Sequence, residues 1–316
     1  MLRTPGSCRA SAAAAARLLL TCWAVLSPAA AHAMDGANCG DFERRFELIK
    51  ADVASDQLDS ALFSAAEMGC QDLARMLLAT GASLEARDRL DATPLVHAAR
   101  AGQLAMTTFL LARGAEIDAR DISGATALYH AADNERPATV ALLVAKGANL
   151  DLPGRSGLTP LAIAAAKGND RIVEQLLSRN ADPNIADLTG KTAMTYAAVR
   201  GFAEVVRRLL DAGVDAKRRY GGDLTALMWA AGYEDGVGVS AATSVVDLLL
   251  EAGAQLDAVD DRGRTALMIA ADLGHAELAD MLVKRGADRN LRDKAGKTAL
   301  DLAANGSVRD MLAPVR

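Results

Sequence analysis

Beyond position 33, the residues with most chemistry to offer are three histidines (His97, His130 and His275), a scatter of aspartates, and Cys39 and Cys70. Imidazoles could bind zinc or act as general bases, and neighbouring carboxylates could relay protons. The spacing argues against both. His97 and His130 lie 33 residues apart, and Asp121, Asp187, Asp260, Asp261 and Asp293 recur with a related phase. Side chains that recur with a structural repeat form a ladder whose rungs are about as far apart as packed helices, roughly 8–10 Å. A zinc ion needs its ligands at about 2 Å. The aspartates read better as turn formers, whose carboxylates accept from nearby amides. No Ser-His-Asp or Cys-His arrangement emerges from this background, and the glycines recur as breaks, not as a phosphate cradle. The sequence therefore assigns no catalytic, cofactor-binding or metal-binding residue, and the chain is expected not to be an enzyme. An enzyme with an unrecognised site near residues 232–238 is the weakest alternative.

The periodicity that removes these residues from chemistry also says what holds them. Thr followed by Pro or Ala and then Leu or Met recurs at Thr93, Thr126, Thr159, Thr192, Thr225, Thr265 and Thr298, at intervals of 33 except for one of 40. Gly114, Gly147, Asn180, Gly213 and Gly286 follow Thr93, Thr126, Thr159, Thr192 and Thr265 by 21 residues, and Ser60 precedes Gly81 by the same distance. Residues 260–290 show what one unit encodes. Thr265 suits a helix N-cap, Ala266–Ala271 is a short apolar helix, and Gly274 breaks it. Leu278, Met281 and Leu282 then recur at helical spacing, with Glu277, Asp280 and Lys284 on the outer face. Gly286, like Asn180 in its unit, suits the left-handed residue after a helix. Helices this short are unstable alone in water, so each unit must be buried by its neighbours.

These units resemble ankyrin repeats. The family's pattern is matched by Asp187, Gly190, Thr192, Ala197-Ala198, Gly201, Leu209-Leu210 and Gly213, and again by Gly263, Thr265, Leu267, Ala270-Ala271, Gly274-His275 and Gly286-Ala287-Asp288. The resemblance implies an all-α solenoid of stacked helix-turn-helix repeats with short β-hairpin fingers, about eight repeats over residues 57–316, the first and last degenerate caps. It also implies a concave face of fingers and inner helices. The family's His after Pro-Leu is replaced by Val96, Tyr129, Ala162, Thr195, Met228, Met268 and Asp301, and Glu135-Arg136-Pro137 stands where Gly-His is usual. Both departures are expected to lower stability without altering the fold. Residues 34–56, with Phe42, Phe46, Leu48 and Ile49, are expected to form an N-terminal capping helix, and residues 232–238 a seven-residue insertion between two helices.

The resemblance further implies a protein partner on that concave face. Positions that vary in such repeats are here Arg89, Leu90, Arg100, Asn134, Arg155, Leu158, Lys167, Leu188, Arg200, Tyr220, Leu224, Tyr233, Arg262 and Arg264. Their basic and apolar character predicts a partner with an acidic patch beside an apolar one. The chain is expected to be monomeric, to bind no cofactor, and to have no stable membrane insertion once its leader is removed.

Residues 1–33 read as that leader. Arg3, Arg9 and Arg17 come without an acid, Leu18–Leu26 is apolar but too short to span a bilayer, and Ala31-His32-Ala33 is a small-residue cleavage pattern before Met34. A periplasmic or secreted location is expected, with a mitochondrial transit peptide as the alternative. Loss of three arginines and no acid takes the net charge from -5 to -8, which disfavours nonspecific nucleic-acid binding. In an oxidising compartment Cys39 and Cys70 form either a disulfide or two thiols. Two further roles remain open at this level, a protective periplasmic factor supporting an oxidative-stress enzyme and a secreted effector acting on host proteins.

Overall fold

The computed structural model describes residues 39–50, 53–234 and 236–313. The leader pattern of residues 1–33 and the start of the proposed cap, 34–38, lie outside them. The chain divides into two compact units, Met1–Ile122 and Ser123–Arg316. Among the described residues all regular structure is helical, apart from one isolated antiparallel bridge between Arg219 and Thr225.

The first unit contains α1 (Cys39–Ile49), α2 (Ser55–Met68), α3 (Gln71–Thr80), α4 (Pro94–Ala101) and α5 (Leu104–Ala112). The pairs α2/α3 and α4/α5 are two repeats, packed first helix on first helix and second on second, with α1 laid against α3. Phe42 and Phe46 are the residues α1 buries, and Cys39 is disulfide-bonded to Cys70 across a Cα separation of 5.3 Å. Leu48, expected on the apolar side of this helix, instead stands 85% exposed. It lies two residues beyond Phe46, which turns it to the opposite face.

The second unit contains α6 (Ala127–Asp133), α7 (Pro137–Ala145), α8 (Pro160–Lys167), α9 (Asp170–Leu177), α10 (Ala193–Val199), α11 (Ala203–Asp211), α12 (Ala226–Ala231), α13 (Val239–Glu251), α14 (Ala266–Leu273), α15 (Ala276–Lys284), α16 (Ala299–Leu302) and α17 (Gly306–Leu312). First helices α6, α8, α10, α12, α14 and α16 pack in that order, and second helices α7 to α17 do the same behind them.

Local chemistry makes these short helices. The hydroxyls of Thr93, Thr126, Thr159, Thr225, Thr265 and Thr298 each accept from the amide three residues on. Pro94, Pro137 and Pro160 occupy first helical positions, where a missing N–H costs nothing. Asn180 adopts φ +64°, and Glu135 at φ +55° takes the place of a glycine. Burial then fuses the pairs. Within the units, Leu95, Leu128, Leu161, Met194, Leu227 and Leu267 are sealed from solvent, and the following Ala-Ala pairs, such as Ala197-Ala198, let first helices approach closely. With almost no aromatic residue in the interior, the core is a thin aliphatic seam between the two helix layers.

The insertion is divided between loop and helix. In ordinary units the second helix starts 11 residues after the Thr and ends at 19, as Ala203–Asp211 does after Thr192. After Thr225 it starts at 14 and ends at 26, Val239–Glu251. Three extra residues therefore lengthen the loop and four add about one turn to α13.

Candidate functional site

The residues before each Thr form a finger, and in four of them the conformation is set by one carboxylate. Asp88 accepts from the amides of Leu90 and Ala92 (2.8 and 2.9 Å), and Asp187 from Thr189 and Lys191 (2.8 and 3.0 Å). Asp260 likewise accepts from Arg262 and Arg264 (2.9 and 2.8 Å), and Asp293 from Ala295 and Lys297 (2.9 Å each). A backbone bond from residue i to i+4, such as Asp187 N to Lys191 O at 2.8 Å, closes each loop. Among the described residues the fingers are single hydrogen-bonded turns, and strand pairing of the expected β-hairpin kind is limited to the bridge between Arg219 and Thr225. Within the second unit neighbouring fingers are joined by backbone bonds, among them Leu188 N to Ser156 O (3.1 Å) and Lys294 N to Arg262 O (2.9 Å).

Two of these carboxylates, Asp88 and Asp187, also reach the first helices. In the first unit, Asp88 meets His97 Nε2 at 2.9 Å, and Arg100 lies 3.1 Å from His97 Nδ1. Arg only donates, so Nδ1 accepts and Nε2–H donates to Asp88, which fixes a neutral imidazole. Burial pulls the His97 pKa below its ordinary value, opposed by the Asp88 bond. An Asp–His pair suggests half a catalytic triad. Here both ring nitrogens are occupied, and Phe63 covers the ring at a centroid distance of 5.2 Å. The pair is a strut between finger and helix.

In the second unit Asp187 accepts from Tyr196 Oη at 2.6 Å in the same role, and from the Thr189 hydroxyl at 2.8 Å. Despite its partial burial, these donors hold Asp187 below the usual carboxylate range, and burial with the Asp187 bond pushes the Tyr196 phenol upward. Tyr196 lies four residues after its Thr. Of the equivalent residues in the unit, His130, Ile163, Trp229 and Ile269 are half-buried and form an apolar and aromatic row beside the fingers, while Leu302 in the last repeat is buried. Lys191 spans two of them, its Nζ 5.6 Å from the Tyr196 ring centre and 5.2 Å from that of Trp229. Such contacts are worth roughly 0.5–2 kcal/mol according to their desolvation. Among the described residues Lys191 has no carboxylate within ion-pair distance, and the Trp229 Nε1–H is buried without an acceptor.

The expected partner-binding residues divide by what they already touch. Leu188 (80% exposed), Leu90 (56%), Arg89 and Arg155 stand out at finger tips. Leu158 and Leu224, half-buried, occupy the position of Lys191 in the units before and after it. Lys167 pairs with Asp133 (3.1 Å), Arg200 with Glu234 (3.2 Å), Arg262 with Asp260 (2.8 Å), and Arg264 with Asp272 (2.7 Å) and Asp293 (3.5 Å). Much of the positive charge read from the sequence is therefore compensated within the protein. Arg100 is half-buried at His97, and Asn134 donates from its amide to His130 O at 2.9 Å. Tyr233 stacks on His275 at 3.8 Å, and His275 Nδ1 lies 3.0 Å from Ala231 O. Tyr220 is only 8% exposed, its phenol pushed up to about 12 by burial, and it has little surface to offer a partner. It stands where other fingers carry their aspartate.

A family model described as ankyrin repeats in three copies matches residues 33–121, 95–187, 161–239 and 238–313. The chain belongs to the ankyrin-repeat family. Ankyrin repeats commonly mediate protein–protein interaction and are in general non-enzymatic. Among curated proteins none matches this chain significantly. Sequence alone did not single out Lys191, Tyr196 or Trp229: Lys191 directly precedes its Thr, and Tyr196 and Trp229 lie four residues after theirs, within the short first helices. The available signal was the change from aliphatic or His residues to Tyr and Trp at this position in two successive ankyrin units. Among the described residues no three His, Cys, Asp or Glu side chains converge where a metal ion could sit, and no helix is long and apolar enough to cross a membrane.

Proposed function

We propose that the chain is an exported, non-enzymatic scaffold that grips a protein partner with the face formed by its fingers and first helices. One observation carries the reading. The second unit places an exposed Leu188 in the same finger as Lys191, whose ammonium lies over the half-buried rings of Tyr196 and Trp229. Exposed apolar and aromatic side chains grouped on a rigid frame mark interaction sites, since scattered ones suffice for an ordinary surface. Export is supported by the basic–apolar–small order of residues 1–33 and by the Cys39–Cys70 bridge, which belongs to an oxidising compartment.

Site-specific photo-crosslinking in the native host tests the binding face. A crosslinker at Leu188 should trap a protein that the same group at Arg171, exposed on α9, does not. Equal trapping from both positions would reject the face. Fractionation with N-terminal sequencing tests export, with Met34 as the expected first residue of a protein outside the cytoplasm. A chain that keeps residues 1–33 in the cytoplasm would reject it.

A further inference from the structure

The rung of Lys191, Tyr196 and Trp229 has an imbalance that identifies what it should receive. Asp187, the nearest acid in sequence, is consumed by four donors, Tyr196 Oη, the Thr189 hydroxyl and the amides of Thr189 and Lys191. The donors on the other side are unmatched. Lys191 rests on two ring faces without a carboxylate, and the Trp229 indole N–H has no acceptor. Three other basic residues of this face differ: Lys167, Arg200 and Arg264 each meet an acid of the same unit. Leu158 and Leu224 flank Lys191 along the row of finger bases, so its charge sits among apolar groups, where an ion pair is stronger than in open water.

A cation without a counter-ion among aromatic and aliphatic surfaces calls for an acceptor with apolar neighbours. We infer that Lys191, Tyr196 and Trp229 form the anchoring subsite for an acidic side chain, Asp or Glu, carried between apolar residues of a partner protein's segment. The carboxylate takes Lys191 as its counter-ion, and the adjoining apolar side chains cover the Tyr196 and Trp229 rings and Leu188. The inference rests on the binding face proposed above and narrows it to one rung and one chemistry.

The test uses the full chain and a random peptide library displayed on phage, selected in parallel on wild type, Lys191→Glu and Lys191→Met. Wild type should enrich peptides with Asp or Glu next to Leu, Phe or Trp. Lys191→Glu should lose them and enrich Lys or Arg in the same setting. Lys191→Met, which keeps an aliphatic stem over the rings, should retain the apolar signature without the acidic one. In fluorescence anisotropy the best wild-type peptide should bind at least tenfold more weakly after Glu→Gln exchange, and the Lys191→Met protein should not distinguish the two peptides. With Trp23→Phe in every protein, Trp229 is the sole tryptophan, and its emission should change on binding. A wild-type consensus without an acid, a consensus unchanged in Lys191→Glu, or no enrichment at all would overturn the subsite. If Leu188 nonetheless crosslinks the native partner, the face survives and only the chemistry assigned to Lys191 fails.

Discussion

Reducing the Cys39–Cys70 bridge, or replacing Cys39 by Ser, should release α1 and weaken the first unit. The bridge closes a loop with a sequence separation of 31. In the chain-entropy account, a loop of this length in the unfolded state is worth about 3.7 kcal/mol. That figure is a ceiling, reached only if α1 stays docked without its tether. The helix buries Phe42 and Phe46 and little else, which contributes roughly 3–6 kcal/mol. Ordering its 11 residues costs roughly 1–2 kcal/mol each before any helical hydrogen bonding is counted. The untethered helix should therefore detach, and the measured loss should fall between about 2 and 3.7 kcal/mol. Urea unfolding with and without reductant gives this number, with Cys39→Ser as the variant insensitive to reductant. Native-state hydrogen exchange supplies the local readout: amides of residues 39–49 should exchange freely while α4 and α5 stay protected. Protection of α1 that persists in the reduced protein, with the loss at the full value of about 3.7 kcal/mol, would show that packing alone holds the helix.

Three other perturbations test the fold's local logic. Removing the Thr265 hydroxyl, which accepts from Met268 N at 3.3 Å, should cost about 1 kcal/mol in urea unfolding of Thr265→Ala. Gly213→Ala places its methyl in open space and should cost only the left-handed backbone, about 1–2 kcal/mol, whereas Gly157→Ala sets a Cβ 2.8 Å from Leu188 N and should cost distinctly more; equal losses would contradict the close packing of these fingers. Because His97 is depressed in the folded protein, its stabilisation is fully present above the ordinary value of 6.5 and lost as pH falls through the lower folded value. Thermal unfolding of the first unit should accordingly move to lower temperature below pH 6.5, and His97→Gln should flatten that slope; a slope unchanged in the variant would remove His97 as the cause.

How much the sequence revealed follows from what repetition encodes. Thr caps, paired alanines, sealed leucines and the left-handed Asn180 recur because every unit needs them, so a period of 33 exposes them without any structure. Details that occur once have no such support. Leu48 looked helical in phase yet points outward, because eleven residues of helix offer more than one apolar reading. Tyr220 reads as a varying surface residue, but it stands at the position that Asp187 and Asp260 hold in their fingers, and its side chain is buried. The seven extra residues after Thr225 were legible as an insertion, while their division into loop and helical turn depended on packing against neighbours. Site chemistry was least visible. Lys167, Arg200 and Arg264 looked available until their partners, distant in sequence or in another finger, were seen beside them. Lys191 became distinctive only when the two rings beneath it were brought together across adjacent units.

Hydrogen exchange of the full chain with and without its purified partner addresses the central claim directly. If the finger and first-helix face is the binding surface, protection should rise across residues 187–196 and 225–234 and leave the second helices at 170–177 and 203–211 unchanged. Protection confined to those second helices, with the fingers and first helices unaffected, would contradict it.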